Sequence, residues 1–289
     1  MHRLLACVAI SLFVAACGGS DAASDPVSAT PADPGVDPVT GRVAYGDDSL
    51  QFADLTVPSG EGPFPVVVFV HGGFWRNAYG LDLAEAQAAD AVANGYATWN
   101  IEYRRVGDPG GGFPGTLGDV AAAVDRLAVM ADEFDLDLDR VAVVGHSAGG
   151  HLALWVGQRG ALPDDAPGAG PVVVPSIVVG QAPVADLTAN TDLGGGAVAA
   201  FMGGPPADLP DAYDVADPAR LLPVLVPQVI VQGGDDQLVP PERAEAYVDT
   251  ADSASIDLVM FDGADHFDVI DPAHESWLAT IERLEQEWA

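Results

Sequence analysis

The chain has 289 residues, the size of one large α/β domain, and its 49% hydrophobic content is ample for a full core. Acidic residues outnumber basic ones 43 to 11, every basic one an arginine, for a formal net charge of −32. Such a surface repels nucleic acid and anionic membrane alike, so neither is expected as a surface partner, and the charge carries no information on catalysis.

Met1-His2-Arg3 is a short basic start to the apolar run Leu4 to Ala15, and Val14-Ala15-Ala16-Cys17 sets small residues just before a cysteine. A run this short, ending this way, predicts an export signal over residues 1–16 rather than a membrane span. The cysteine resembles that of the lipobox of bacterial lipoproteins. The resemblance implies cleavage before Cys17, lipid on its sulfur and an outward-facing place on a bacterial membrane, held by that anchor alone; an ordinary secretory signal is the alternative. Cys7 would leave with the signal, so the mature chain could form no internal disulfide and must rely on its core. Residues 17–40 are rich in Ser, Asp, Ala, Pro and Gly, too poor in large apolar groups to offset their ordering entropy. They predict a flexible acidic linker, with the folded domain over 41–289.

Leu50 to Val57 alternates loosely and predicts an edge strand, closed by Pro58-Ser59-Gly60. Val66 to Val70 is an uninterrupted apolar strand of the kind buried on both faces. Leu81 to Asn94 is alanine-rich and helical, with Asn94-Gly95 as its stop. Tyr96 to Ile101 reads as a strand, and Leu117, Val120, Val124, Leu127 and Ala131 recur at helical spacing. Val141 to Val144 is the central strand and Ile177 to Val179 the next; Val229 to Val231 and Ile256 to Met260 follow, with a helix between them from Pro240-Pro241. Trp277 to Trp288 is a closing helix. This alternation predicts an α/β fold, a mostly parallel sheet with helices on both faces. Residues 183–227 break it with glycines and prolines, which suggests a lid-like insertion or pocket wall.

Gly145-His146-Ser147-Ala148-Gly149 stands between the apolar run Val141 to Val144 and the helical His151-Leu152-Ala153-Leu154-Trp155-Val156. A serine at the apex of such a strand–turn–helix is a nucleophile elbow, whose glycines permit strained dihedrals and close backbone approach. A serine hydroxyl needs a base, and the base needs a group to hold its tautomer. His266 follows the last strand, where a loop can bring it over the elbow. The acid should follow the penultimate strand, where Asp235 and Asp236 both stand. Asp236 is chosen because the related pattern spaces the acid three residues before Val-Pro; Asp235 then bonds local turn backbone. Asp262 and Asp265 are weaker candidates. For the oxyanion, the amide of Ala148 and those of Gly72 and Gly73 in the His71-Gly72-Gly73-Phe74-Trp75 turn are the expected donors. Phe74 is a possible further donor and a pocket residue. Trp75 either lines the pocket or packs under the turn.

Together with Tyr103-Arg104-Arg105 and Asp265-His266-Phe267, these motifs resemble the kynurenine formamidase and small carboxylesterase branch of the α/β-hydrolases, over nearly everything after residue 50. The resemblance implies the α/β-hydrolase fold, acylation of the serine and cleavage of an ester or formamide bond. An export signal sits oddly with formamidase, a step of cytosolic tryptophan breakdown, and favours an exported esterase acting on a small-molecule ester. An arylformamidase or a peptidase-like amide hydrolase is the alternative within the class, and a binding protein on a hydrolase fold the alternative outside it. No metal-ligand cluster, phosphate loop or dinucleotide fingerprint is present, so neither metal nor cofactor is expected.

Overall fold

The structure, a computed structural model, describes residues 39–251 and 255–289. The export signal, Cys17 and the linker up to residue 38 lie outside them.

Eight strands form one sheet: β1 (Val39–Ala44), β2 (Phe52–Val57), β3 (Phe64–Val70), β4 (Ala97–Ile101), β5 (Leu136–His146), β6 (Ile177–Gln181), β7 (Gln228–Gly233) and β8 (Ile256–Phe261). Their spatial order is β1-β2-β4-β3-β5-β6-β7-β8. β2 is antiparallel to β1 and to β4, and every other pairing is parallel. The helices are α1 (Glu85–Ala93), α2 (Gly115–Asp125), α3 (Leu127–Phe134), α4 (Ala148–Gln158), α5 (Ala197–Met202), α6 (Pro210–Ala216), α7 (Pro241–Ala251) and α8 (Glu275–Glu287).

The apolar runs explain the layering. Successive side chains of a strand point to opposite faces. In β3, Val66, Val68 and Val70 join one buried cluster with α2, α3, α4 and α7, while Val67 and Phe69 join the other with α1 and α8. Val141 and Val143 of β5 divide from Ala142 and Val144 in the same way. Each fully buried valine stabilises the fold by about 1.5–3 kcal/mol. All of α4 is buried, including its two polar side chains, His151 and Gln158.

The structure corrects several element boundaries. The strand expected at the edge, β2, is the second: β1 covers it and takes Val39 and Thr40 from the expected linker. A 310 turn, Leu81–Ala84, precedes α1. The helical run through Ala131 is two helices meeting at Arg126. Residues 183–227 contain α5, α6 and short 310 turns, and they are pinned to α4: Trp155 Nε1 donates to the Val215 carbonyl and His151 Nε2 to the Ala216 carbonyl, each at 2.9 Å.

Candidate active site

β3 lies between β4 and β5, so the chain order reverses beside it. The crevice beyond the carboxyl ends of strands at such a point is where open α/β sheets take ligands. Two turns meet there. His71 to Trp75 leaves β3, and His146-Ser147-Ala148 leaves β5 into α4.

Ser147 has φ 55° and ψ −117°. A serine held at positive φ costs about 1–3 kcal/mol and must be over-determined by its surroundings. Its amide donates to the Gln181 carbonyl at 2.8 Å, and its carbonyl accepts from the amides of His151 at 3.1 Å and Val184 at 3.2 Å. Close packing completes the elbow: a Cβ at Gly149 would overlap the Val70 and His71 carbonyls. At Gly72 a Cβ would stand 2.8 Å from the His146 carbonyl oxygen and 3.2 Å from Ser147 Cβ, so the β3 turn runs directly against the serine. Gly73 (φ 108°), Phe74 (φ 54°) and Trp75 (φ 53°) are three consecutive left-handed residues. The amides of Gly72, Gly73 and Ala148 donate to no protein acceptor among the described residues. For Ala148 the reason is geometric: the first amides of a helix have no intrahelical partner.

A buried ion pair braces this turn from behind. His71 Nε2 meets Glu102 Oε1 at 3.0 Å, and Arg105 meets the same oxygen at 2.9 Å. The Tyr103 hydroxyl donates to the His71 carbonyl at 2.7 Å, its ring stacked on the imidazole at 4.3 Å. Burial opposes ionisation of Glu102, but the His71 hydrogen bond and the charges of His71 and Arg105 hold its carboxyl below the usual range.

His266 Nδ1 lies 2.7 Å from Asp236 Oδ2. A carboxylate only accepts, so Nδ1 donates, which in the neutral ring leaves the lone pair on Nε2. Asp236 is fully buried, and its Oδ1 accepts from the amides of Leu238 and Val239, each at 2.8 Å. Burial raises its pKa, but the hydrogen bond and charge of His266 with those two amides bring it below the ordinary value. Asp235 points to solvent, its amide on the Ala264 carbonyl at 2.9 Å. Asp265 is exposed and bonds the amides of Phe267 and Asp268. The His266 ring packs against that of His146, next to Ser147, at 4.5 Å.

Of the two readings open for Trp75, the structure shows packing under the turn. The residue is 1% exposed, stacked on Phe201 at 4.8 Å and donating to His151 Nδ1 at 3.3 Å. Phe74 is half-buried beside Gly194 of the insertion. Side chains given no role from the sequence also belong here. His146 and Gln181 bond the His266 segment, and Gln232 Nε2 reaches Asp236 Oδ2 at 3.3 Å. Gln181 and Gln232 carried a signal: each is a polar residue following an apolar run, Gln181 last in its strand and Gln232 next to last.

The sheet order and the strained serine turn define an α/β-hydrolase. The chain belongs to the BD-FAE family, whose model matches residues 53–250. Esterase LipC of Mycobacterium tuberculosis is 34% identical over 120 residues, 40% of this chain and 29% of that protein. A probable isoprenylcysteine α-carbonyl methylesterase of Arabidopsis thaliana, ICMEL2, is 26% identical over 263 residues, 78% of this chain and 57% of that one. The chain spans 29%, 23% and 26% of the first three curated relatives it matches. Among solved structures, a truncated carbohydrate esterase from gut microbiota superposes with TM-score 0.74 at 18% identity, over 89% of this chain and 99% of that one. Esterase B of Lactobacillus rhamnosis gives 0.73 at 22%, over 87% and 84%.

Proposed function

We propose that the protein is a serine carboxylesterase acting through an acyl-enzyme on uncharged small-molecule esters. The observation that carries the reading is the buried 2.7 Å His266–Asp236 pair, its imidazole packed on His146 beside the strained Ser147. The esterase names of the relatives support it. In the reaction Ser147 Oγ attacks the ester carbonyl carbon while its proton passes to His266 Nε2. Asp236 holds the imidazole tautomer and stabilises its charged form. The oxyanion rests on amides of the Gly72-Gly73 turn and of Ala148. His266 returns the proton to the departing alcohol, then takes one from the water that attacks the acyl-serine and gives it to Ser147 Oγ as the carboxylic acid leaves.

Tyr79, Leu238 and Phe267, each more than a third exposed, flank the oxyanion turn, Asp236 and His266. With the strongly acidic surface they favour an ester with apolar groups and no negative charge. The test is a panel of p-nitrophenyl esters beside N-formylkynurenine and a peptide amide. Ester turnover is expected to dominate; formamide turnover without ester turnover makes the protein an arylformamidase.

The reading extends to the cell: the enzyme is exported and tethered outside a bacterial membrane through lipid on Cys17. The small residues before that cysteine and the polar stretch after it support this. Two or three acyl chains anchor stably where one does not. Intact-mass analysis of the natural N-terminus tests it, an unmodified chain in the medium being the contrary outcome.

A further inference from the structure

His146 and Gln181 pair across β5 and β6 at the carboxyl end of the sheet. Each uses one polar atom to hold the segment that carries His266. His146 Nε2 donates to the His266 carbonyl at 2.9 Å, and Gln181 Nε2 donates to the Val269 carbonyl at 2.9 Å. These bonds decide what is left over. A carbonyl only accepts, so the His146 proton sits on Nε2 and Nδ1 remains an acceptor; Gln181 likewise keeps its Oε1 acceptor. Both atoms are buried and without a protein partner among the described residues, and so is a donor, Nε2 of Gln87 on α1.

The three residues line one small cavity, with His71, Gly72 and Ile270 among its other walls. Its volume of about 10 Å³ is room for one water. A buried polar atom left unpaired costs about 1–3 kcal/mol, so three around one cavity form an expensive cluster. Two acceptors and one donor are the complement of a water molecule, which gives two hydrogens and accepts another, and buried waters typically make about three such bonds.

We propose that this cavity binds one structural water, hydrogen-bonded to Gln87, His146 and Gln181, and that the three are positioning residues for His266. The water fixes the His146 ring, and that ring holds the His266 carbonyl from one side while contacting the Gly72 turn on the other. Burial and the charge of the neighbouring His266 depress His146 to a pKa of about 3, so the ring stays neutral over any ordinary working range and the His266 carbonyl sets its tautomer. The positioning role rests on the triad reading of the site; the water site does not.

Two measurements test the proposal. A crystal structure that orders solvent should show one peak about 2.7–3.2 Å from all three atoms, in Ser147→Ala as in the wild type. No peak, with the three side chains paired otherwise, overturns the site. Gln87→Met removes the donor at similar length. Its kcat on the best ester is expected to fall roughly tenfold through a displaced base, with KM within about twofold. The 15N signal of His146 Nδ1 should also move as its hydrogen bond weakens. An unchanged kcat overturns the positioning role even where the peak is present. Ester hydrolysis by Ser147→Ala instead defeats the triad reading and leaves the peak to decide the cavity.

Discussion

Ser147 is held at φ 55° by hydrogen bonds to its amide and its carbonyl, none of which uses its hydroxyl. Ser147→Ala therefore removes the proposed nucleophile without touching what supports the turn. Hydrolysis should fall by roughly a thousand-fold or more, to what the oxyanion donors and binding alone supply, with the melting temperature little changed. Turnover close to wild type in a contamination-controlled preparation is the outcome that sinks the serine mechanism. The two neighbouring aspartates make a sharper comparison. Asp236 is buried between His266 and two amides, whereas Asp235 faces solvent. Asp236→Asn offers the imidazole the wrong partner and should cost about 10⁴ in kcat. Asp235→Asn should leave kcat/KM near wild type, and the reverse ranking would transfer the role to Asp235.

Among the elements, the insertion after β6 shows how a loop-like stretch is fixed. Asp217, at the end of α6, is fully buried and accepts from the amides of Leu187, Thr188 and Ala219 and from the Thr188 hydroxyl. Asp217→Ala orphans these donors. A loss of about 3 kcal/mol or more is expected, measured by urea unfolding, with KM rising because the Phe201 face of α5 packs on Trp75 of the proposed oxyanion turn. An unchanged midpoint would mean that the insertion is held elsewhere. None of this was legible in the sequence, since α5 and α6 span fewer than two full turns and show no period. β3, β5 and β6 were legible because parallel strands buried on both faces need unbroken apolar runs, and the elbow because its glycines are demanded by backbone contacts. β1 was missed: Val39 to Ala44 is mostly exposed and its pairing, not its composition, makes it a strand. Helices α2 and α3 read as one because Arg126 breaks them without glycine or proline. At the site, Ser147, His266 and the two aspartates stood out through chain order. The links of His146 to the His266 carbonyl and of Gln87 to the cavity join distant elements, so no local pattern could carry them.

At the scale of the whole molecule, two buried imidazoles should make the fold less stable in mild acid. Burial pushes His146 down to a pKa of about 3, helped by the charge of His266, and His151 down to about 4, against an ordinary value of 6.5. Both folded values lie below the unfolded one, so between about 4 and 6.5 the unfolded chain binds more protons at both sites, and stability falls as pH drops through that window. Each histidine removes about 1.4 kcal/mol per pH unit there, or about 2 kcal/mol by pH 5. The net charge of −32 acts the other way, because protonating carboxylates relieves self-repulsion. Carboxylates of ordinary pKa near 4 stay ionised above pH 5, however, so the histidines dominate first. Moving from pH 7 to pH 5 should thus lower the melting temperature by roughly 10 °C at constant ionic strength. His151→Gln can still accept from Trp75 and donate to the Ala216 carbonyl, but it has no proton to gain. It should recover about half of the pH-dependent loss, whatever its effect at pH 7. A melting temperature that holds steady or rises down to pH 5 would mean that charge relief outweighs the two imidazoles.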